Sequence, residues 1–179
     1  MMMVFRCNPG SGATTVFEAL RVILAGKHVP SKTIEFHWYS AEEGGLLGSQ
    51  DVVGEYVAKG KSVRAVYHND MTGYLSDDTV TPSIGIVTDY VNLALVPTLE
   101  MLAAEYSGQA WVHTTCGYAC SDHATWTKAG IPSVFSFEGA FKDHSPFIHT
   151  VQDTTEHIDF THMTAFVKTA IGFAIEMAN

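Results

Sequence analysis

Two adjacent carboxylates, Glu42 and Glu43, follow the aromatic-rich run Thr33-Ile34-Glu35-Phe36-His37-Trp38-Tyr39 and precede the pair Gly44-Gly45. A second apolar run, Val63-Arg64-Ala65-Val66-Tyr67-His68, leads into Asn69-Asp70. Further on, the phenol of Tyr118 stands between Cys116 and Cys120, and an imidazole, His149, lies between Ile148 and Thr150. Carboxylate and imidazole are donors suited to zinc. Neighbouring carboxylates can also divide two tasks, one ligating a metal and the other moving protons. A phenol can donate a hydrogen bond to a developing oxyanion. Each feature has a plainer reading by itself. Glu42-Glu43 suits an acidic first helical turn, Asp70 a strand-end carboxylate bonded within its turn, and His149 an ordinary loop position. Their common placement at strand ends is what suggests a site, because chemistry in open α/β sheets gathers at the carboxyl ends of strands.

The elements that must position these residues alternate along the chain. Periodicity predicts a helix over 13–27, with Phe17, Leu20, Ile23 and Leu24 on its buried face. A strand over 33–40 follows the break at Pro30. Next come a helix over 46–59, a strand over 63–68, a polar loop over 75–83 and a short strand over 84–88. A helix over 92–106 tolerates Pro97 near its start and sets Leu95, Leu99 and Leu102 on one side. A strand over 110–114 precedes the cysteine loop, then a helix over 122–129 stopped by Gly130 and a strand over 132–137. The long irregular stretch 139–155 has the length of a functional loop. A closing helix over 161–177 carries Phe166, Ala170, Phe173 and Met177 along one stripe. This alternation predicts an α/β, three-layer sandwich with a mixed, mostly parallel sheet flanked by helices. No repeat, linker or low-complexity tract divides residues 1–179, which read as one domain.

With 179 residues, 46% of them hydrophobic and 16% charged, the chain has enough apolar material for a core. A formal net charge of −9 with scattered basic residues argues against nucleic acid as a partner. No apolar run is long enough to span a bilayer, and Met1-Met2-Met3-Val4-Phe5-Arg6 does not read as a signal peptide. The Cys116-x3-Cys120 pair is open to three readings: a local disulfide, a metal pair, or two buried thiols.

Four motifs in order carry a resemblance: Ala41-Glu42-Glu43-Gly44-Gly45-Leu46-Leu47-Gly48-Ser49, Asn69-Asp70-Met71-Thr72-Gly73-Tyr74, Thr115-Cys116-Gly117-Tyr118-Ala119-Cys120-Ser121-Asp122-His123 and Ile148-His149-Thr150-Val151-Gln152-Asp153-Thr154. Over about 11–178 the chain resembles the secreted two-zinc leucine aminopeptidases. The resemblance implies a zinc-dependent peptide hydrolase that removes Leu-like N-terminal residues, acting outside the cell. It makes Glu42 the general base, Glu43 and His149 ligands of one zinc, and Asp70 a ligand of the other. It implies that Tyr118 steadies the tetrahedral intermediate and that Cys116 and Cys120 form a disulfide. Met71, Val87, Phe137, Phe141 and Ile148 match the walls of an apolar pocket for the substrate side chain. The other histidines read as structural or solvated, with His123 and His144 as candidates for holding site groups in place.

The resemblance also marks departures. The family's bridging aspartate falls at Asn8 in this chain, and a further histidine ligand falls upstream of residue 1 together with opening strands and helices. The chain therefore reads as an N-terminally truncated, partial catalytic domain. It is expected to bind zinc weakly at one site or not at all, and its catalysis is expected to be impaired. The alternative is a catalytically silent family remnant that binds peptide or self-associates. Cys7 reads as a small apolar packing residue. Without the opening strands, an exposed sheet edge favours self-association.

Overall fold

A computed structural model of the chain describes residues 2–7, 10–76 and 78–179, the first of these ranges as backbone alone. Six strands form one sheet: β1 (Met2–Cys7), β2 (Thr33–Trp38), β3 (Val63–Asn69), β4 (Ser83–Val87), β5 (Ala110–Thr114) and β6 (Ser133–Phe137), in the order β2-β1-β3-β6-β4-β5. Pairing is parallel along β2-β1-β3-β6 and between β4 and β5, while β4 meets β6 antiparallel. The expected mixed, mostly parallel sheet is what forms. Its central members read as continuous apolar runs because both faces are covered: every residue of β6, and β3 from Ala65 onward, is buried.

The helices are α1 (Ser11–Ala25), α2 (Leu47–Ala58), α3 (Val96–Leu102), α4 (His123–Lys128) and α5 (Phe160–Ala178). α1, α3 and α5 pack on one face around the larger core, where Tyr67, Leu99, Phe166 and Phe173 are fully buried. α2 and α4 cover the other face around Tyr39, Val53, Tyr56, Val66 and Trp126. This is the three-layer sandwich. None of the described helices is long and apolar enough to cross a membrane.

Three local differences from the periodicity have physical causes. Strand β1 lies over residues that carried no strand signal, and it is an interior strand bonded on both sides. α3 begins at Val96 rather than 92 because Pro97, lacking an N–H, fits only a helix's first turn. It then loosens into a π-turn over Ala103–Ser107. On α1 the buried residues are Gly12, Thr15, Val16, Ala19 and Ile23, so Phe17 and Leu24 are exposed rather than facing the core. The inward stripe is small because the helix start lies against the chain after β3. A Cβ on Gly12 would come 2.6 Å from the Asn69 carbonyl oxygen.

Candidate active site

Strand β2 ends in a turn that its own backbone closes. The Gly45 and Leu46 amides donate to the Glu42 carbonyl at 2.9 and 2.7 Å, and the Gly48 amide donates to the Ser40 carbonyl at 3.1 Å. α2 starts only at Leu47, so both carboxylates lie in the turn before the helix and not in its first turn. That removes the plainer reading of the pair. Gly48 is needed for this closure, because a Cβ there would stand 2.6 Å from the Ser40 carbonyl oxygen. The turn separates the two carboxylates: Glu42 is buried, while Glu43 is exposed.

His149 has φ 62° in the long loop after β6, and its Nδ1 lies 3.7 Å from Glu43 Oε1. Asp70 follows β3 directly, and its Oδ2 accepts a 2.7 Å hydrogen bond from the Ser121 hydroxyl. With its proton so used, Ser121 Oγ accepts from the buried His68 Nε2 at 2.7 Å. A three-residue chain of bonds thus runs from the sheet interior to Asp70. Tyr118 projects from a loop closed by the Cys116–Cys120 disulfide, its side chain exposed. Asp89 holds the base of that loop by accepting from the Cys116 and Gly117 amides at 3.1 and 2.7 Å.

One cavity of about 590 Å³ is bordered by Glu42, Glu43, Asp70, Tyr118 and His149 together, and also by Met71, Phe137, Phe141 and Ile148. Val87, expected among its walls, is instead fully buried in the larger core at the end of β4 and does not border it. His123 is buried against Phe135, and His144 Nδ1 bonds the Phe141 carbonyl oxygen at 2.6 Å; neither borders the cavity.

Residues not singled out from the sequence complete the site. Glu138, at the end of β6, accepts from the Tyr74 amide at Oε2 and the Ser145 amide at Oε1, each at 2.9 Å. It thereby ties the loop after Asp70 to the loop that carries His149. Burial pushes its carboxyl above the ordinary range, and the amides of Ser145, Tyr74 and Gly73 oppose that shift. A lone Glu just after an apolar strand has no spacing signature. Ser121, by contrast, sat within a quoted motif, and only its contact with Asp70 was hidden.

The donor set was tested against zinc on its geometry. Among the described residues no three His, Cys, Asp or Glu side chains converge as a metal-binding group. Glu43 and His149 make a two-donor pair, and one oxygen of Asp70 is bonded to Ser121. A catalytic zinc ordinarily takes three protein ligands, so the described residues do not fit a resident zinc pair. Asn8 lies outside the described residues, as does the side chain of Cys7. What the cavity does offer is a buried carboxylate, a phenol and apolar walls around one space.

The sequence profile of peptidase family M28 matches residues 9–174. Leucine aminopeptidase 1 of Sclerotinia sclerotiorum is 45% identical over 178 residues, covering 96% of this chain and 46% of that protein. The crystal structure of the Legionella pneumophila LapA aminopeptidase superposes with a TM-score of 0.94 at 39% identity, over 99% of this chain and 51% of that one. BSAP, a zinc aminopeptidase from Bacillus subtilis, superposes with a TM-score of 0.78 at 26% identity, over 96% of this chain and 45% of that one. The chain thus spans about half the length of the relatives it matches.

Proposed function

This chain belongs to peptidase family M28, and from that premise we propose that its cavity is an aminopeptidase site of the leucine aminopeptidase type, for peptides with an apolar N-terminal residue. The observation that carries this reading is that Glu42, Glu43, Asp70, Tyr118 and His149, drawn from four separated stretches, border one cavity with Met71, Phe137, Phe141 and Ile148. The apolar side chains receive the substrate's N-terminal side chain, and a Leu-like group suits such walls. Glu42, buried at the wall, accepts a proton from the attacking water and passes it to the leaving amine. The Tyr118 hydroxyl donates to the oxyanion as the carbonyl becomes tetrahedral.

Zinc belongs to this reading as the metal named for the Bacillus relative, with Glu43, His149 and Asp70 as the donors. In this reading zinc binding by the chain is weak and its hydrolysis impaired, a view supported by the lack of a three-donor group among the described residues. An extracellular setting belongs to it as well, supported by the Cys116–Cys120 disulfide, a bond suited to oxidising compartments.

A second reading is a catalytically silent member of the family whose cavity still binds peptide N-termini, favoured by the same two-donor pair. Hydrolysis of a leucine anilide with added zinc, compared between the native chain and Glu42→Gln, separates them. A slow, zinc-stimulated rate that Glu42→Gln abolishes supports the enzyme. Equal rates in both proteins remove it. Binding of leucine amide without turnover supports the silent form.

A further inference from the structure

Three of the apolar side chains that border the cavity lie within three residues of groups joined by one carboxylate. Glu138 directly follows Phe137 at the end of β6. Its Oε2 accepts from the Tyr74 amide, three residues after Met71. Its Oε1 accepts from the Ser145 amide, three residues before Ile148. Glu138 is 6% exposed, borders the cavity and is fixed from behind, the buried His162 of α5 donating from Nε2 to its carbonyl oxygen at 2.9 Å.

The two loops so joined differ in their other supports. The first is anchored to α1: Ser11 Oγ accepts from the Thr72 amide at 2.9 Å, and the Thr15 and Thr72 hydroxyls bond at 2.9 Å. The second is held at its start by the Phe141 amide donating to Thr114 Oγ1 at 2.7 Å. From Ser145 onward it folds on itself. The Phe147 amide donates to Ser145 Oγ at 3.3 Å, and the Thr150 amide and hydroxyl donate to the Phe147 carbonyl oxygen at 3.2 and 2.6 Å. Each loop also carries a residue in the left-handed region, Met71 at φ 51° and His149 at φ 62°. Such residues keep that conformation only where their surroundings hold it. Bonds to an ionised acceptor are roughly twice as strong as neutral ones, so a single buried carboxylate can hold both loops at a set separation.

We infer that Glu138 is a specificity-positioning residue: by joining the loops it sets the spacing among Met71, Phe137 and Ile148, and so which N-terminal side chain the cavity accepts. The inference rests on the peptidase reading of the cavity and deepens it. Because amides occupy its oxygens, Glu138 acts through the walls and not on the scissile bond. Gln in its place keeps the size but has one acceptor oxygen and turns an NH2 toward the other amide, which releases one loop.

Calorimetric binding of leucine amide and alanine amide tests it, read as the ratio of the two affinities well below the melting temperature. The native chain is expected to prefer leucine amide. In Glu138→Gln that preference is expected to fall about tenfold or more, the worth of one well-packed methylene. Glu138→Asp, too short to reach both amides, is expected to act alike and serves if Glu138→Gln does not fold. Phe173→Leu, in the larger core and not bordering the cavity, is expected to lower the melting temperature and keep the native ratio. An unchanged ratio in the folded Glu138 variants, or an equal fall in Phe173→Leu, overturns the inference and leaves the peptidase reading standing. Failure of both Glu138 variants to fold would make Glu138 a folding residue and overturns it as well. A native chain without preference for leucine amide removes the peptidase reading, and the inference with it.

Discussion

Ser121 shows how a single hydroxyl can connect a site to the interior. It donates to Asp70 and accepts from His68, so Ser121→Ala removes a partner from two groups at once. Leaving a buried donor or acceptor unmet costs about 1–3 kcal/mol, and Ser121→Ala is expected to lower unfolding stability by about that amount in denaturant titrations. Glu138 has a different role, because its carboxylate satisfies backbone amides from two loops. The half-buried His37 and the buried His162 act against Glu138 in their pH effects. Burial lowers the His37 and His162 imidazoles below the ordinary histidine range. A depressed base contributes stability that is present above about pH 6.5 and lost as pH falls through its lowered value. The raised Glu138 carboxyl has the reverse sign: its contribution is full below about pH 4.5 and lost as pH rises. Thermal melts are therefore expected to show stability falling below neutral pH, less steeply in His162→Gln and more steeply in Glu138→Gln.

Elements decide where these residues can meet. The turn between β2 and α2 holds Glu42 and Glu43 only because Gly48 lets the helix start approach Ser40. Gly48→Ala is expected to destabilise the chain by about 1–3 kcal/mol, as overpacking does, with chemical denaturation as the readout. In α5, Phe173 is fully buried and its ring centroid lies 4.9 Å from that of Tyr67; Phe173→Ala is expected to cost about 3–5 kcal/mol. Most of this layer was legible in advance. The stripe Phe166, Ala170, Phe173 and the limits of β5 follow from spacing alone, since long apolar periodicity survives in tertiary context. The face of α1 was not legible, because periodicity weighs Phe17 and Leu24 above Gly12 and Ala19, whereas close packing on β3 selects the small side chains. Strand β1 was not legible because Met2–Cys7 holds a single β-branched residue, Val4, and the roles of Glu138 and His68 depend on contacts across distant segments that no local pattern encodes.

At the scale of the whole molecule, the sheet brings residues more than a hundred positions apart in the chain to one rim, where Glu42, Glu43, Asp70, Tyr118 and His149 border one cavity. The cavity proposed as a peptidase site has, among the described residues, no group of three donors that could hold a metal. Calorimetric titration of the purified chain with zinc, alongside Glu43→Ala and His149→Ala, tests this most directly. The account predicts weak binding of no more than one ion per chain, lost in both variants. Two tightly held ions per chain, or binding unchanged in the variants, would contradict it.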